Sequence, residues 1–316
     1  MLKAKSHKLR ATAVVLAYNQ SRFIAEAVNA VLNQDFDGLE VILSDDCSSD
    51  DTFEIMSQIA SSYKGPHTIR LNKNEKNLGF IGHINLIFKL ATTQFIIYNP
   101  GDDISLPNRF QKLWFEYKRK NALLVHSDVI EITESGQEMG IKSQKHVLKD
   151  ISLFKTSRKM SLCIGATCGW DRDLMKKFGE ICETNTYDDV IFYFRAKLAG
   201  ERIGYVPEPL MFYRIGSGIT NSPVKNYYEK LDDLKKKSRV AVATLKQRLM
   251  DCQKFSPELV NLKSYIEFWI KVAQGRVLAY NGAKFVSVLK TFSFPTILGY
   301  AIGRHHFRRA RRIYKN

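Results

Sequence analysis

Four short motifs hold the side chains best suited to chemistry. Asp45 and Asp46 follow the apolar stretch VILS and precede Ser48, Asp50, Asp51 and Thr52. A carboxylate there can accept hydrogen bonds from a uracil or thymine N3–H or from ribose hydroxyls. Ser49 or Asp50 also suits a helix cap, which needs no function and does not require Asp45 or Asp46. The second motif, Asn99-Pro100-Gly101-Asp102-Asp103, puts adjacent acids on a glycine turn. They repel each other unless a cation sits between them and a ligand. Mg²⁺ or Mn²⁺ suits that task, taking one or two carboxylates and completing its shell with diphosphate oxygens and water. The alternative is an exposed turn in which Asp103 caps the next helix.

The third motif is Tyr187-Asp188-Asp189, ahead of an apolar helix that carries Arg195. Asp188 can cap that helix through the backbone dipole, and a carboxylate here can also deprotonate a bound hydroxyl. The fourth is Phe212-Tyr213-Arg214, followed by Gly216, Gly218 and Thr220. An arginine before a glycine-rich loop suits closure over a diphosphate, because Arg binds phosphate with paired hydrogen bonds. A loop packed on the domain's edge is the plainer reading.

Positioning these groups requires regular elements. Residues 12–17, 39–43, 68–71 and 95–98 read as strands. Between them, helical spacing runs from Phe23 to Leu32, with Ser21 as a cap, then over 53–63 and 81–90. This alternation predicts a parallel sheet with right-handed crossovers. Ligands bind at the carboxyl ends of such strands, where both acidic clusters fall, so one crevice is expected. Further on, 125–132, 162–170 and 204–213 read as strands and 188–198 as a helix. The polar, basic stretch 142–159 reads as a mobile loop. From Tyr227 the pattern is helical, so the sequence divides into a domain over 1–225 and a basic extension over 226–316.

The chain has 316 residues, 45% hydrophobic and 25% charged, which fits a globular protein with a substantial core. Its net charge of +16 is concentrated in the second half and attracts phosphates, or simply solvates a face. Five scattered cysteines without a CxxC pair argue against a disulfide framework or zinc site and suit a reducing cytoplasm. The apolar run 13–17 is too short for the core of a signal peptide. Residues 285–303 are apolar, but Lys290 and Pro295 argue against a spanning helix. Followed by Arg304, Arg308, Arg309, Arg311 and Arg312, the segment suits lying on an anionic membrane, or packing as a helical pair on the domain.

Taken together, VVLAYN, VILSDDCSSDDT, NEKNLGFIGHIN, NPGDDISLPNRF, YDDVIFYFRAKLAG and YRIGSGITN resemble, in order and spacing, family 2 glycosyltransferases over roughly residues 10–222. The resemblance implies a GT-A fold, α/β and Rossmann-like, with a mostly parallel central sheet flanked by helices. It also implies inversion at the anomeric carbon, with a metal-bound nucleoside-diphosphate sugar as donor. By position, Tyr18 matches the aromatic residue near the base, and Asp46, with Asp45 beside it, the acid that pairs with the base. Asn77 and Asn85 match the polar loop and helix near the donor. Asp102 matches the last acid of the metal-binding DXD motif, with Asp103 adjoining it on the donor side. Asp189 matches the catalytic base, and Arg214 the arginine that closes over the donor.

Two departures stand out. Pro100 replaces the first DXD acid, leaving Asp102 as the direct carboxylate and predicting weaker metal affinity. Gly216 replaces a frequent histidine two residues after the arginine. The family's common setting implies bacterial surface-polysaccharide assembly (O-antigen or capsule), with a glycan or lipid-linked acceptor, and the apolar, basic C-terminal segment suggests peripheral attachment to the cytoplasmic membrane face. The helical C-terminus could pair two chains. The competing reading is a non-enzymatic nucleic-acid binder drawing on the basic charge. Acids at both strand ends oppose it, since they repel a phosphate backbone. A nucleotide-binding oxidoreductase fails because no GxGxxG follows the first strand.

Overall fold

The computed structural model describes residues 9–145, 151–216 and 226–314. The first half alternates β1 (Ala11–Ala17), α1 (Ile24–Leu32), β2 (Leu39–Asp45), α2 (Thr52–Ser62), β3 (Thr68–Lys73), α3 (Gly79–Leu90) and β4 (Phe95–Pro100). These strands pair in parallel in the order β3-β2-β1-β4. Every residue of β1 and β2 is buried, as a parallel sheet covered on both faces requires.

Beyond β4 the sheet becomes mixed. β8 (Gly169–Asp171) runs antiparallel to both β4 and β6 (Leu124–Ile132), and β9 (Ile203–Arg214) runs parallel to β6. Two short strands complete it: β5 (Ile104–Ser105) against β9 and β7 (Glu138–Lys142) against β6. The parallel expectation therefore holds for the βα units, whose crossover helices impose it, and gives way where the connections are loops.

Side-chain alternation along β1 divides the core. Val14 and Leu16 join α3 and α7 (Asp188–Leu198), whereas Ala13, Val15 and Ala17 face α1, α2 and α4 (Arg109–Lys120). Trp170, fully buried, stacks on Tyr98 with ring centroids 5.3 Å apart.

Three local readings differ. Helix α1 starts at Ile24 with no side-chain cap; the Ser21 backbone N–H instead donates to Asp50 at 3.0 Å. The expected strand over 162–170 shrinks to β8, preceded by a 3₁₀ turn at Gly165–Thr167. That turn presses Gly165 on Asp189: a Cβ there would lie 3.3 Å from the Asp189 Cβ. Within 142–159, Ser152 caps α5 (Leu153–Arg158), and residues 146–150 lie outside the described residues.

The remaining helices are α6 (Asp173–Phe178), α8 (Tyr227–Phe255), α9 (Val260–Tyr280), α10 (Phe285–Thr291) and α11 (Phe294–Tyr314). Phe194 and Leu198 of α7 share one core with Leu245 and Cys252 of α8 and Ile266 of α9. Helices α9 and α11 meet almost backbone to backbone. A Cβ on Gly275 would lie 2.0 Å from the Thr296 carbonyl oxygen, and one on Gly299 1.9 Å from that of Val272. The apolar segment 285–303 is broken between α10 and α11, and no described helix is long and apolar enough to cross a membrane.

Candidate active site

Parallel pairing sets the strand ends side by side: Ala17 is in register with Asp45, and Leu16 with Pro100. The Asp46 N–H donates to the Ala17 carbonyl and the Gly101 N–H to that of Leu16, each at 2.9 Å. Tyr18, 48% exposed, therefore stands between the two acidic motifs. Next to it, Asn19 adopts the left-handed φ of 52° and its side-chain oxygen accepts from the Ser49 N–H at 2.9 Å.

Both acids of the first motif are buried and oriented. Asp45 accepts from the backbone and hydroxyl of Ser48. Asp46 Oδ1 accepts from Asn74 Nδ2 at 2.7 Å and from the Leu78 N–H at 2.9 Å. Asn77 Oδ1 accepts from the Gly79 N–H at 2.7 Å, fixing the start of α3. Asn85 faces elsewhere: its amide clamps the backbone of Ile181 through bonds of 3.0 and 3.1 Å.

The second motif is built from below. Asn99 Nδ2 donates to the carbonyls of Pro100 and Asp103, and its Oδ1 accepts from Ser105 and Arg109. Arg109, fully buried, reaches the carbonyls of Tyr98 and Ala166 at 2.7 and 2.8 Å. Asp103 does not cap α4; its Oδ1 accepts from the Arg214 N–H at 2.8 Å. Burial, then the charge of Asp102, pushes the Asp103 carboxyl well above the usual range. Arg214 holds this turn: its Nε donates to the Asp102 carbonyl at 3.0 Å, and its other nitrogens reach the Glu134 carbonyl and Glu26. Gly218 and Thr220 lie outside the described residues.

The third motif meets the second around Tyr98. Burial raises the Tyr98 hydroxyl well above its ordinary value, and the nearby charges of Asp188, Asp102 and Asp103 add to the effect. Asp188 is buried and does not cap α7, and its Oδ2 has no hydrogen-bond partner among the described residues. Desolvation pushes the neighbouring Asp189 up to about 6, against the Val190 N–H bond and the charge of Arg248. A carboxylate poised there is ionised at neutral pH yet basic enough to take a proton.

Of the supporting residues, Asn74 and Arg109 lie within NEKNLGFIGHIN and NPGDDISLPNRF without being singled out there, and Arg248 lies outside every motif. Arg248, on α8, is fully buried and donates to the carbonyls of Val190, Lys159 and Ser157. The same helix anchors the segment before Asp188, through Gln247 to the Cys182 N–H and Thr244 to Thr186, both at 2.7 Å.

Among the described residues, no three His, Cys, Asp or Glu side chains come together to cage a metal ion. Asp103 is tied to the Arg214 backbone and Pro100 offers no carboxylate, so the donor set centres on Asp102. Such a set fits Mg²⁺ or Mn²⁺ arriving with its own phosphate and water ligands, and does not fit a metal needing an all-protein cage.

The chain belongs to Glycosyl transferase family 2, whose family model matches residues 12–179, just over half of its length. It is similar to EpsE of Bacillus subtilis, named as a glycosyltransferase, with 32% identity over 120 residues. That match covers 38% of this chain and 42% of EpsE. It is also 25% identical over 239 residues to the poly(ribitol-phosphate) beta-N-acetylglucosaminyltransferase TarS of Staphylococcus aureus, covering 70% of this chain and 39% of TarS. The chain thus spans less than half the length of either relative.

The crystal structure of TarS residues 1–349 with UDP-GlcNAc has a TM-score of 0.59 at 16% identity, covering 97% of this chain and 92% of that one. The mannosyltransferase PcManGT of Pyrobaculum calidifontis, in complex with GDP-Man and Mn²⁺, has a TM-score of 0.56 at 15% identity, with coverages of 96% and 83%. These likenesses show the GT-A fold, C-terminal helices included.

Proposed function

We propose that the protein is an inverting glycosyltransferase that moves a sugar from a nucleoside-diphosphate sugar to an acceptor hydroxyl. The observation that carries this reading is that parallel pairing sets Asp46 and Asp102 beyond the ends of neighbouring strands, while Asp188, next to Asp189, shares the surroundings of Tyr98 with Asp102 and Asp103, and Asp189 is pushed up to about 6. Tyr18, Asp45 and Asp46 form the nucleoside end of the site. Asp102 faces the diphosphate, with Asp103 and Arg214 holding its turn. A divalent ion bound at Asp102 would offset negative charge on the departing diphosphate. Asp189 accepts the acceptor's proton as the hydroxyl attacks the anomeric carbon from the face opposite the leaving group. That single displacement inverts configuration and needs no covalent enzyme intermediate.

Residues 1–225 act as the catalytic domain, and 226–316 as an extension that braces α7. The setting is assembly of a bacterial surface polysaccharide, with a glycan or lipid-linked acceptor. The relation to TarS, whose name records transfer to a poly(ribitol phosphate), supports such an envelope role. Exposed Phe285, Val286, Leu289, Phe292 and Phe294 precede the arginines of α11 in the chain, a composition suited to peripheral attachment at the cytoplasmic face of the membrane. The deciding experiment is calorimetric titration with UDP, dTDP and GDP, each with and without Mn²⁺, followed by assignment of the product anomer. Binding of none of the three overturns the donor reading; retained configuration overturns inversion.

A further inference from the structure

Helices α5, α8 and α9 line a half-open pocket of about 260 Å³ that none of the four sequence motifs reaches. Its cations are Lys155, Arg158, Lys159 and Arg276, and no carboxylate is among its lining residues. None of the four stands in an ion pair among the described residues. The rest of the lining is apolar: Met160, Ala241, Leu245, Trp269, Val272 and Ala273. The Arg158 guanidinium lies over the Trp269 ring, 5.0 Å from its centroid. Two buried donors of the wall, Trp269 Nε1 and Arg276 Nε, have no acceptor among the described residues. Both atoms have almost no accessible surface, so an occupant of the pocket does not reach them.

We propose that this pocket binds an aliphatic phosphate ester, the phosphate taken by the cations and the hydrocarbon by the apolar floor. A bare anion would leave that floor wet, and a neutral hydrocarbon would leave the cations unanswered. The pocket also connects to the catalytic helix. The carbonyls of Ser157 and Lys159, flanking Arg158, accept from Arg248, which in turn donates to Val190 beside Asp189. An occupant gripping Arg158 and Lys159 therefore steadies the segment on which Arg248 rests. The site stands or falls independently of the role given to Asp189.

The test follows tryptophan fluorescence of the full-length protein during titration with dodecyl phosphate below its micelle concentration. A saturable change is expected, absent in Trp269→Phe and shifted to about tenfold or more higher concentration in Arg158→Gln/Arg276→Gln. Lys155→Gln/Lys159→Gln, at two exposed positions, gives a second variant should the first not fold. Vesicles of phosphatidylcholine with and without phosphatidic acid distinguish the sources. A Trp269-dependent response to the acidic vesicles assigns the ester to a lipid surface; a response confined to dodecyl phosphate assigns it to a soluble ester. An equal response to dodecanol, an equal affinity for inorganic phosphate, or no response at all overturns the proposal.

Discussion

Arg195 and Asp251 face each other as a fork and a carboxylate, Nε to Oδ2 and Nη2 to Oδ1 both at 2.9 Å, with side-chain exposures of 0% and 1%. The pair joins α7, which begins with the candidate base, to α8 of the extension. Gln247 adds a bond of 3.0 Å to Asp251 Oδ1, and Arg195 also reaches the Gly179 carbonyl at 2.8 Å. A buried pair this well satisfied fixes relative position more than it adds stability.

Removing one partner leaves the other charged in a dry interior. Asp251→Asn or Arg195→Met alone should lower unfolding free energy by about 3–5 kcal/mol. The double change Arg195→Met/Asp251→Leu should recover much of that loss. Urea denaturation of the three variants measures both, and additive losses would show that the pair does not act as a unit.

Asp189→Asn should leave the melting profile intact and reduce transfer about 10²–10⁴-fold. In the parent protein the base works only when ionised. With Asp189 pushed up to about 6, kcat/KM should fall as pH drops through that value. Unchanged turnover in the variant would remove Asp189 from the reaction.

Arg248 is a positioning residue whose positive charge holds the Asp189 carboxyl down. Arg248→Met should therefore move the acid limb of the kcat/KM profile to higher pH, and Arg248→Lys should restore part of the shift. Were the arginine only packing, the melting temperature would fall while the limb stayed in place.

Asp102→Ala should weaken nucleotide and metal binding together in calorimetric titration, because in the proposed site the same carboxylate would serve both. Retention of full Mn²⁺ dependence by that variant would assign the metal to another ligand.

His83, buried against Ser44 with Nε2 2.6 Å from its hydroxyl, is pushed down to about 4 by desolvation. Its folded-state pKa lies below the ordinary value of 6.5, so the unfolded chain binds the proton first. The neutral ring's contribution is complete above pH 6.5 and is lost as pH falls towards 4. His83→Gln should flatten the decline in stability across that interval, read by denaturant midpoints at successive pH values.

The βα units and the acids at their ends could be read in the sequence because both signals are local. A buried parallel strand is a short apolar run, and an acid at its end is the next few letters. The supports are not local. Arg248 lies 59 positions beyond Asp189 and is one of 48 lysines and arginines, with nothing in its neighbours to single it out. Arg109 and Asn74 likewise gain meaning only from what the fold brings to them. Arg214 shows the same limit from the other side: its type suggests a phosphate clamp, whereas its guanidinium reaches Glu26 and main-chain carbonyls. The apolar letters of 162–170 fit strand or turn equally well until Asp189 packs against Gly165.

The seam between α9 and α11 is written in missing side chains. Where Gly275 and Gly299 let two main chains touch, even one added carbon has nowhere to go, so Ala at either site must push the helices apart. The terminal helix is thus keyed to its partner like a tongue in a groove. From Thr296 to His306 it is joined to α9, which shares a core with α7, the helix that carries Asp189. A load placed on that seam would pass to α9 and, through the core that α9 shares with α7, towards Asp189.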